Sequence, residues 1–424
     1  MKHPALLAVP LVSALALAAA PSQARTVGAA DRDPVARAGH ATAFAFRDRG
    51  FGTRVVGGQV PGGSETTGQT AIGCTDRAGV VHRNDVAEAD VPGLGTVHGV
   101  STRLWTTDRD GVVTSHARHT IASIALASSP LGSLTLDAVT SATRAFHDAH
   151  GFHAVTATGI GAITLTPPGG GAVQTFPAPT PDQPVDIPGL ATIYAGQRRT
   201  SQSDNGAVAD ASALTIDVTA TGTSVRVAHS HAELHGGMVT GIFGGRSAAT
   251  RVVTALDGTV RSGPQPLTLM PCQGTYGSVR RQALAHVDLG GQLVVRGATS
   301  SQRASQAAGR AHGYERGSIA RLNLGGGQLV VDGIVGKASV TRTADGVRRS
   351  ARGTQVGTVT VDGQVRTFPS TGVLEIPGVA KLERHLVTRT RTGLSVISLR
   401  ITLLDGSGGV VDLGTARMQI APVR

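Results

Sequence analysis

Apolar and polar residues alternate along most of the chain beyond residue 40. Clear examples are Leu214–Val218 (LTIDV) and Leu399–Leu403 (LRITL), in which every second side chain is aliphatic. Successive side chains of a β-strand point to opposite faces, so this period predicts strands with one packed face and one face in water. Helical spacing is weak even in its best segment, Ser301–His312, which contains Gly309. The pattern predicts an all-β chain.

Tight turns separate long stretches of this alternation. A glycine repeatedly follows Asp or Asn, and such pairs supply the positive φ angles that short β-hairpins need. The pairs are Asp110-Gly111, Asn205-Gly206, Asp257-Gly258, Asp345-Gly346, Asp362-Gly363 and Asp405-Gly406. The Val- and Thr-rich segments between turns include Leu134–Phe146, Ala154–Leu165, Leu329–Thr341 and Val347–Val361. At about 3.4 Å per residue they would form antiparallel strands of about 40 Å.

A half-chain repeat organises these segments. Gly171–Pro177 (GAVQTFP) and Ile187–Ala191 (IPGLA) return as Gly363–Pro369 (GQVRTFP) and Ile376–Ala380 (IPGVA). The sequence therefore predicts two tandem homologous β units, residues 41–238 and 239–424. Aromatic residues make up only 3% of the chain, and small aliphatic side chains favour closely packed sheets in an elongated sandwich or flattened barrel. A β-solenoid is the alternative, although its coils need a shorter period.

The first residues have the features of an export signal. Lys2 and His3 precede an apolar run, and Ser22-Gln23-Ala24 is a small-x-small cleavage site. We therefore expect a secretory signal peptide over residues 1–24, followed by a flexible leader over residues 25–40. No later apolar run reaches the roughly 20 residues of a membrane-spanning helix. The expected localisation is secreted and extracellular, with cell-surface association as an option.

The chain is basic, with a formal net charge of +11 that falls to +10 when Lys2 is removed with the signal. Such a field favours anionic partners such as cell-wall polymers or other anionic surface components. The cations are nearly all arginines and are spread singly, without the clustered basic run that is typical of nucleic-acid binding. We expect no specific nucleic-acid partner, and the sequence leaves the oligomeric state open.

The chain contains two cysteines, Cys74 and Cys272. They hold corresponding places in the two copies, and an exported protein meets an oxidising compartment. We therefore expect a disulfide that joins one copy to the other. Two unpaired buried thiols are the alternative.

Histidine is the one catalytic residue type in surplus. His229 and His231 are two positions apart on a predicted strand and project from one face, so they are weak candidates for a zinc or copper site. Alignment of the copies places Leu413 and Thr415 opposite them, which favours a packing role. No second pair of ligands completes a metal site, so we expect no cofactor. The G-x-S-x-G, H-E-x-x-H, P-loop and S-x-x-K motifs are absent from the sequence, and no catalytic residue is predicted.

Paired Pro-Gly-Leu and Pro-Gly-Val turns, Ala213–Val218 followed by Val227–Ala232, and one Cys per unit resemble the secreted actinobacterial choice-of-anchor P family. The resemblance covers both copies and implies export, an extracellular β-rich body and attachment to the cell surface, without a known activity. Residues 419–424 carry no sorting motif, so free secretion is equally expected.

Three functions remain open from the sequence. The first is a non-enzymatic structural or adhesive protein of the cell envelope. The second is an extracellular carrier or binding protein for an apolar or anionic ligand. The third, which the missing motifs disfavour, is a secreted hydrolase with a triad assembled from distant strands.

Overall fold

Antiparallel strands build most of the chain in the computed structural model of the protein. The structure describes residues 39–57, 64, 66–126, 132–169, 171–254, 263–289 and 293–423. The predicted all-β fold is confirmed, because the described residues form four antiparallel sheets without an α-helix. The expected signal peptide lies outside the described residues, as does the expected leader apart from Gly39 and His40. Both are held by hydrogen bonds, to Arg77 and Ala78 respectively, so this end of the leader is fixed.

The first half of the molecule comprises the strands between Ala41 and His235. In chain order these are β1 (Ala41–Gly57), β2 (Thr70–Arg77), β3 (Val81–Val91), β4 (Gly95–Arg109), β5 (Val112–Leu126), β6 (Ser133–Asp148), β7 (Gly151–Gly159), β8 (Ala162–Thr166), β9 (Gln174–Phe176), β10 (Val185–Ile187), β11 (Ala191–Ala195), β12 (Arg198–Ser203), β13 (Gly206–Val218) and β14 (Thr223–His235). They form sheet I, in the order β10-β11-β13-β14-β1-β2 with β12 also on β13, and sheet II, in the order β3-β4-β5-β6-β8-β9 with β7 also on β6.

The second half comprises the strands between Gly241 and Pro422. These are β15 (Gly241–Thr254), β16 (Gln265–Leu269), β17 (Arg280–Leu289), β18 (Leu293–Ala307), β19 (Arg310–Leu324), β20 (Leu329–Thr343), β21 (Gly346–Ser350), β22 (Val359–Val361), β23 (Gln364–Arg366), β24 (Val373–Ile376), β25 (Ala380–Arg389), β26 (Gly393–Leu403) and β27 (Val410–Pro422). Sheet III has the order β24-β25-β26-β27-β15-β16, and sheet IV has the order β17-β18-β19-β20-β22-β23 with β21 also on β20.

The two halves repeat the same sheet organisation. Sheet III follows sheet I strand for strand, except that β25 takes the place of both β11 and β12, and sheet IV follows sheet II. In each half the two sheets pack face to face around aliphatic side chains, which makes each half a sandwich. None of the four sheets closes on itself, so the described residues form neither the flattened barrel nor the solenoid that the sequence left open.

A kink divides each sandwich into two core regions. In β14, Val225 and Val227 face one core cluster, whereas Ala232 and Leu234 face another, so the inward-facing parity changes between them. Ala228 has a positive φ of 50° at this point. In β27 the corresponding change occurs at Gly414, where φ is 59°. A residue with positive φ rotates the strand and exchanges the faces on which the following side chains lie.

The turns follow the Asx-Gly prediction more closely than the strand lengths do. Asp110-Gly111 and Asp362-Gly363 join hairpin strands with positive φ at both residues, while Asp257-Gly258 lies outside the described residues.

Two predicted long strands are broken. The segment Ala154–Leu165 divides into β7 and β8, which pair with different parts of β6, because Gly161 leaves the ladder and donates its N–H to the carbonyl of Asp137. Val347–Val361 divides in the same way into β21 and β22, both on β20.

The halves are joined by a disulfide and a small packed contact. Cys74 of β2 and Cys272, which follows β16, form the predicted bond, with their Cα atoms 5.4 Å apart. Ala45, Ile242 and Cys272 are fully or almost fully buried in one cluster there. The two halves therefore meet over packed side chains at this point, and the bond links a strand of one sandwich to a loop of the other.

Candidate functional site

The outer face of sheet I carries both candidate histidines. The kink at Ala228 turns His229 and His231 away from the sandwich core, and the two side chains share one face as the sequence predicted. They lie among polar side chains on β13 and β14 that we call the histidine cluster: Asp210, His229, His231, Glu233 and His235. The outer face of a sheet is usually wet, yet the four members on β14 are 3–7% exposed.

Hydrogen bonds run through the whole histidine cluster. Asp210 Oδ2 lies 3.1 Å from His229 Nε2 and 2.8 Å from His231 Nδ1. Glu233 Oε1 lies 2.6 Å from His231 Nε2, and Glu233 Oε2 lies 3.2 Å from His235 Nε2. The order along this chain of contacts is His229, Asp210, His231, Glu233, His235. The imidazoles are thus bridged by carboxylates, and the bridges are formed by oxygen atoms of the protein itself.

The two carboxylates of the cluster are ionised. Burial alone would raise the pKa of Asp210, but hydrogen bonds from His229 and His231 outweigh it and hold that pKa well below its usual range. Burial opposes ionisation of Glu233 too, and Arg47 and His231 overcome it and hold its pKa well below the usual range. A carboxylate only accepts hydrogen bonds. His231 faces one at each ring nitrogen, so the ring is held between two hydrogen-bond acceptors.

Arginines from β1 complete the charge balance. Arg47 donates from Nη2 to Glu233 and from Nη1, at 2.8 Å, to the carbonyl oxygen of Met270 in the second half. His229 stacks on Phe51 with ring centroids 4.6 Å apart, and burial together with the charge of Arg49 lowers its pKa. The ion pair of Arg47 and Glu233 therefore ties the histidine cluster to the contact between the halves.

The geometry does not suit a metal at His229 and His231. Both nitrogens of His231 and the Nε2 atom of His229 are engaged by carboxylates, and zinc needs three or four free donor atoms around one point. Over the residues that the structure describes, no group of three or more His, Cys, Asp or Glu side chains is arranged to hold a metal ion. The Nδ1 atoms of His229 and His235 have no hydrogen-bond partner, but they belong to opposite ends of the chain of contacts.

The equivalent positions in the second half differ from those that the sequence alignment predicted. Register places Phe51 of β1 opposite His229 and Ala248 of β15 opposite Thr415. The counterparts of His229 and His231 are thus Thr415 and Arg417, not Leu413 and Thr415. The alignment was wrong by two residues because the kink, which fixes the faces, is formed by an alanine in one copy and a glycine in the other.

An open groove occupies the corresponding face of sheet III. Its volume is about 390 Å³, and its lining includes three arginines, Arg246, Arg251 and Arg417. The positions equivalent to Asp210 and Glu233 are Ser395 and Gln419, which also line the groove and carry no charge. Where the first half has two carboxylates and an imidazole, the second half has neutral side chains and a guanidinium.

Each sandwich also buries one acid that sequence reasoning missed. Asp48 in β1 lies between sheets I and II and accepts a 2.6 Å hydrogen bond from Ser115 of β5. Glu315 in β19 lies between sheets III and IV and accepts a 2.8 Å bond from Ser247 of β15. Burial raises the pKa of both carboxyl groups well above the usual range. The available signal was an acidic residue in the middle of a predicted strand, as in the Arg47-Asp48-Arg49 triplet.

The histidines of the histidine cluster are not arranged with a nucleophile. Within the described residues, no serine or threonine hydroxyl is hydrogen-bonded to His229, His231 or His235. His119 lies 2.6 Å from the hydroxyl of Thr102 and His116 lies 3.3 Å from that of Thr107, but burial lowers the pKa of both imidazoles to about 3. A general base must reach its substrate as well as its nucleophile. These side chains therefore form structural networks.

No family model matches the chain, and no curated protein sequence matches it. Across the described residues, the structure contains no helix with the length and apolar character needed to cross a membrane.

Proposed function

We propose that the protein is a non-catalytic extracellular β-protein of the cell envelope, with a structural or adhesive role. The observation that carries this proposal is the state of the histidine cluster. Its imidazoles are buried and hydrogen-bonded to Asp210 and Glu233, so the residues best suited to catalysis act as internal supports. The disulfide between the halves is consistent with an oxidising compartment, and the family resemblance in the sequence supports export and surface attachment.

Sedimentation with isolated cell-wall fragments tests this function. The purified full chain should cosediment with the fragments in a saturable way, and Asp210→Asn should leave this binding intact as long as the variant is folded. The same preparations should be screened with chromogenic esters, glycosides and phosphoesters. Turnover by the wild type that disappears in folded His231→Gln protein would contradict the proposal and establish a hydrolase.

A binding role for a small anion is the second candidate, and the groove on sheet III is the observation that favours it. The contact between Ala45, Ile242 and Cys272 is filled by side chains, which gives no support to a ligand held there between the two copies. The groove, in contrast, lies wholly in the second half and has a volume within the range of about 300–1,000 Å³ that is typical of small-molecule sites.

A further inference from the structure

The arginines of the sheet III groove lack the carboxylates that neutralise their counterparts in sheet I. Arg246 and Arg417 are directly opposite each other on β15 and β27. Like charges at such a position are destabilising because the side chains are only about 5 Å apart at Cβ. Arg251 lines the same groove. None of the three arginines forms an ion pair with a carboxylate of the described residues.

Arg246 is affected by partial burial and by the two neighbouring arginines. Its side chain is exposed as a whole, but partial desolvation of the guanidinium, together with the charges of Arg251 and Arg417, lowers its pKa. Asp412 also lines the groove, yet its oxygens are taken by Arg400, with Nε at 2.7 Å and Nη2 at 3.1 Å. Asp412 is directly opposite Arg251 and is shared with Arg400, so one carboxylate serves these arginines where the first half has two.

In the first half, carboxylates balance the positive charge on this face. There Arg49 stands in the position of Arg246, and the surrounding positive charge is met by Asp210 and Glu233. Both carboxylates are absent from the second half, where Ser395 and Gln419 supply hydroxyl and amide groups instead. The space is also larger, because Ala248 replaces the ring of Phe51. The groove thus has positive charge, neutral hydrogen-bonding groups and room for a ligand.

We propose that the groove lined by Arg246, Arg251 and Arg417 binds a phosphate-type oxyanion, which takes the place that Asp210 and Glu233 fill in the first half. Guanidinium groups bind such anions through paired, charge-assisted hydrogen bonds. The shared ligand chemistry is a tetrahedral dianion, either free or as a phosphate monoester. This inference rests on the proposed binding role and names the chemistry of the partner.

Calorimetric titration of the full chain with inorganic phosphate, at fixed ionic strength and neutral pH, tests the site. We expect binding by the wild type and an affinity lower by about tenfold or more in Arg246→Gln/Arg417→Gln, because two charged donors are removed. The matched control is Arg348→Gln/Arg366→Gln, which makes the same charge change on exposed strands of sheet IV. Glycerol phosphate, titrated in parallel, distinguishes a monoester ligand, which should bind more tightly than inorganic phosphate, from the free anion.

A second pair of variants supplies the missing carboxylates. Ser395→Asp/Gln419→Glu should abolish phosphate binding, whereas Gln364→Glu/Ser370→Asp, with the same charge change elsewhere, should not. Absence of binding by the wild type, or equal affinity in Arg246→Gln/Arg417→Gln, would overturn the proposal, and this holds even if the carboxylate variant fails to fold. Wall sedimentation of the same proteins separates the two claims: binding to walls without binding to phosphate rejects the site alone.

Discussion

On sheet I the outer face at the kink is closed by its own charges, whereas on sheet III the same face is open and lined with arginines. The strands, the register and the kink are the same in both halves. The difference lies in a few side chains: Asp210 and Glu233 in one half, Ser395 and Gln419 in the other. These changes, together with Ala248 in place of Phe51 and with Thr415 and Arg417 in place of the histidines, accompany the change from a buried network to a groove. A duplicated sheet can therefore keep one copy as support while the other becomes available for binding.

The interiors of the two sandwiches show the opposite relation, in which the chemistry is kept and the positions change. The first half places an acid on β1 and its serine on β5, and the second half places the serine on β15 and the acid on β19. The position equivalent to Asp48 is Gly245, where an added Cβ would lie 3.1 Å from Glu315 Cγ. In the second half, a side chain at the position of Asp48 would therefore crowd Glu315.

Removal of the disulfide between the halves has the largest expected effect on stability. Replacing Cys74 and Cys272 with Ser removes a bond across 198 residues, which by the loop-entropy estimate is worth about 5 kcal/mol before strain is subtracted. We expect the thermal midpoint to fall by several degrees, with separate transitions for the two halves and unchanged far-UV circular dichroism. Peptide mapping without reductant should recover one linked pair of tryptic peptides. Freely alkylated thiols in the purified protein would contradict the bond.

Glu233→Ala tests the closed face against the open one. It leaves the Arg47 guanidinium buried without its carboxylate and His231 without one of its two acceptors, and breaking a buried pair in this way destabilises a protein by about 3–5 kcal/mol. The matched change at the equivalent position, Gln419→Ala, should alter stability by no more than about 0.5 kcal/mol. Urea denaturation measures both. Similar losses in the two variants would show that the faces are not energetically different.

The contrast between these faces was only partly predictable from sequence. A two-residue period placed His229 and His231 together because that relation is local. Asp210 was within reach of the same reasoning, since the turn after Val218 pairs Val218 with Thr223 and, by counting back, Asp210 with His231. Arg47 was not, because it is 186 residues away from Glu233 and its strand pairing is non-local. Ala228 gave no signal either, since alanine seldom adopts positive φ.

Glu315→Gln tests the feature that the halves share. Burial raises the pKa of Glu315 well above its ordinary value of 4.5. The folded state therefore holds the proton more tightly, so the stabilisation is complete below about pH 4.5 and is lost as the pH rises through the folded pKa. We therefore expect Glu315→Gln to be more stable than the wild type at alkaline pH, where the wild type must bury a carboxylate, and to lose this advantage in acid.

Denaturation at several pH values checks this, with Asp48→Asn as the counterpart in the first half because its pKa is shifted in the same direction. Asp210 and Glu233 act oppositely: their pKa values are lowered, so the stability they supply is present at neutral pH and is lost in acid. Parallel pH profiles for the wild type and Glu315→Gln would show that the buried acid is not a titrating group over that range.

Zinc addition should have no effect on the thermal midpoint, the smallest response among these predictions. His229 and His231 face the same carboxylate, so a metal would have to displace Asp210 from two imidazoles and Glu233 from His231. Calorimetry at neutral pH should show no zinc heat, and the thermal midpoint should not move. Uptake of one equivalent that is lost below about pH 5 as imidazole protonates, and that is absent in His229→Ala/His231→Ala, would mean that the closed face opens in solution. The difference between the two faces would then be one of population, because the metal would bind a state of sheet I in which Asp210 and Glu233 have moved away from the histidines.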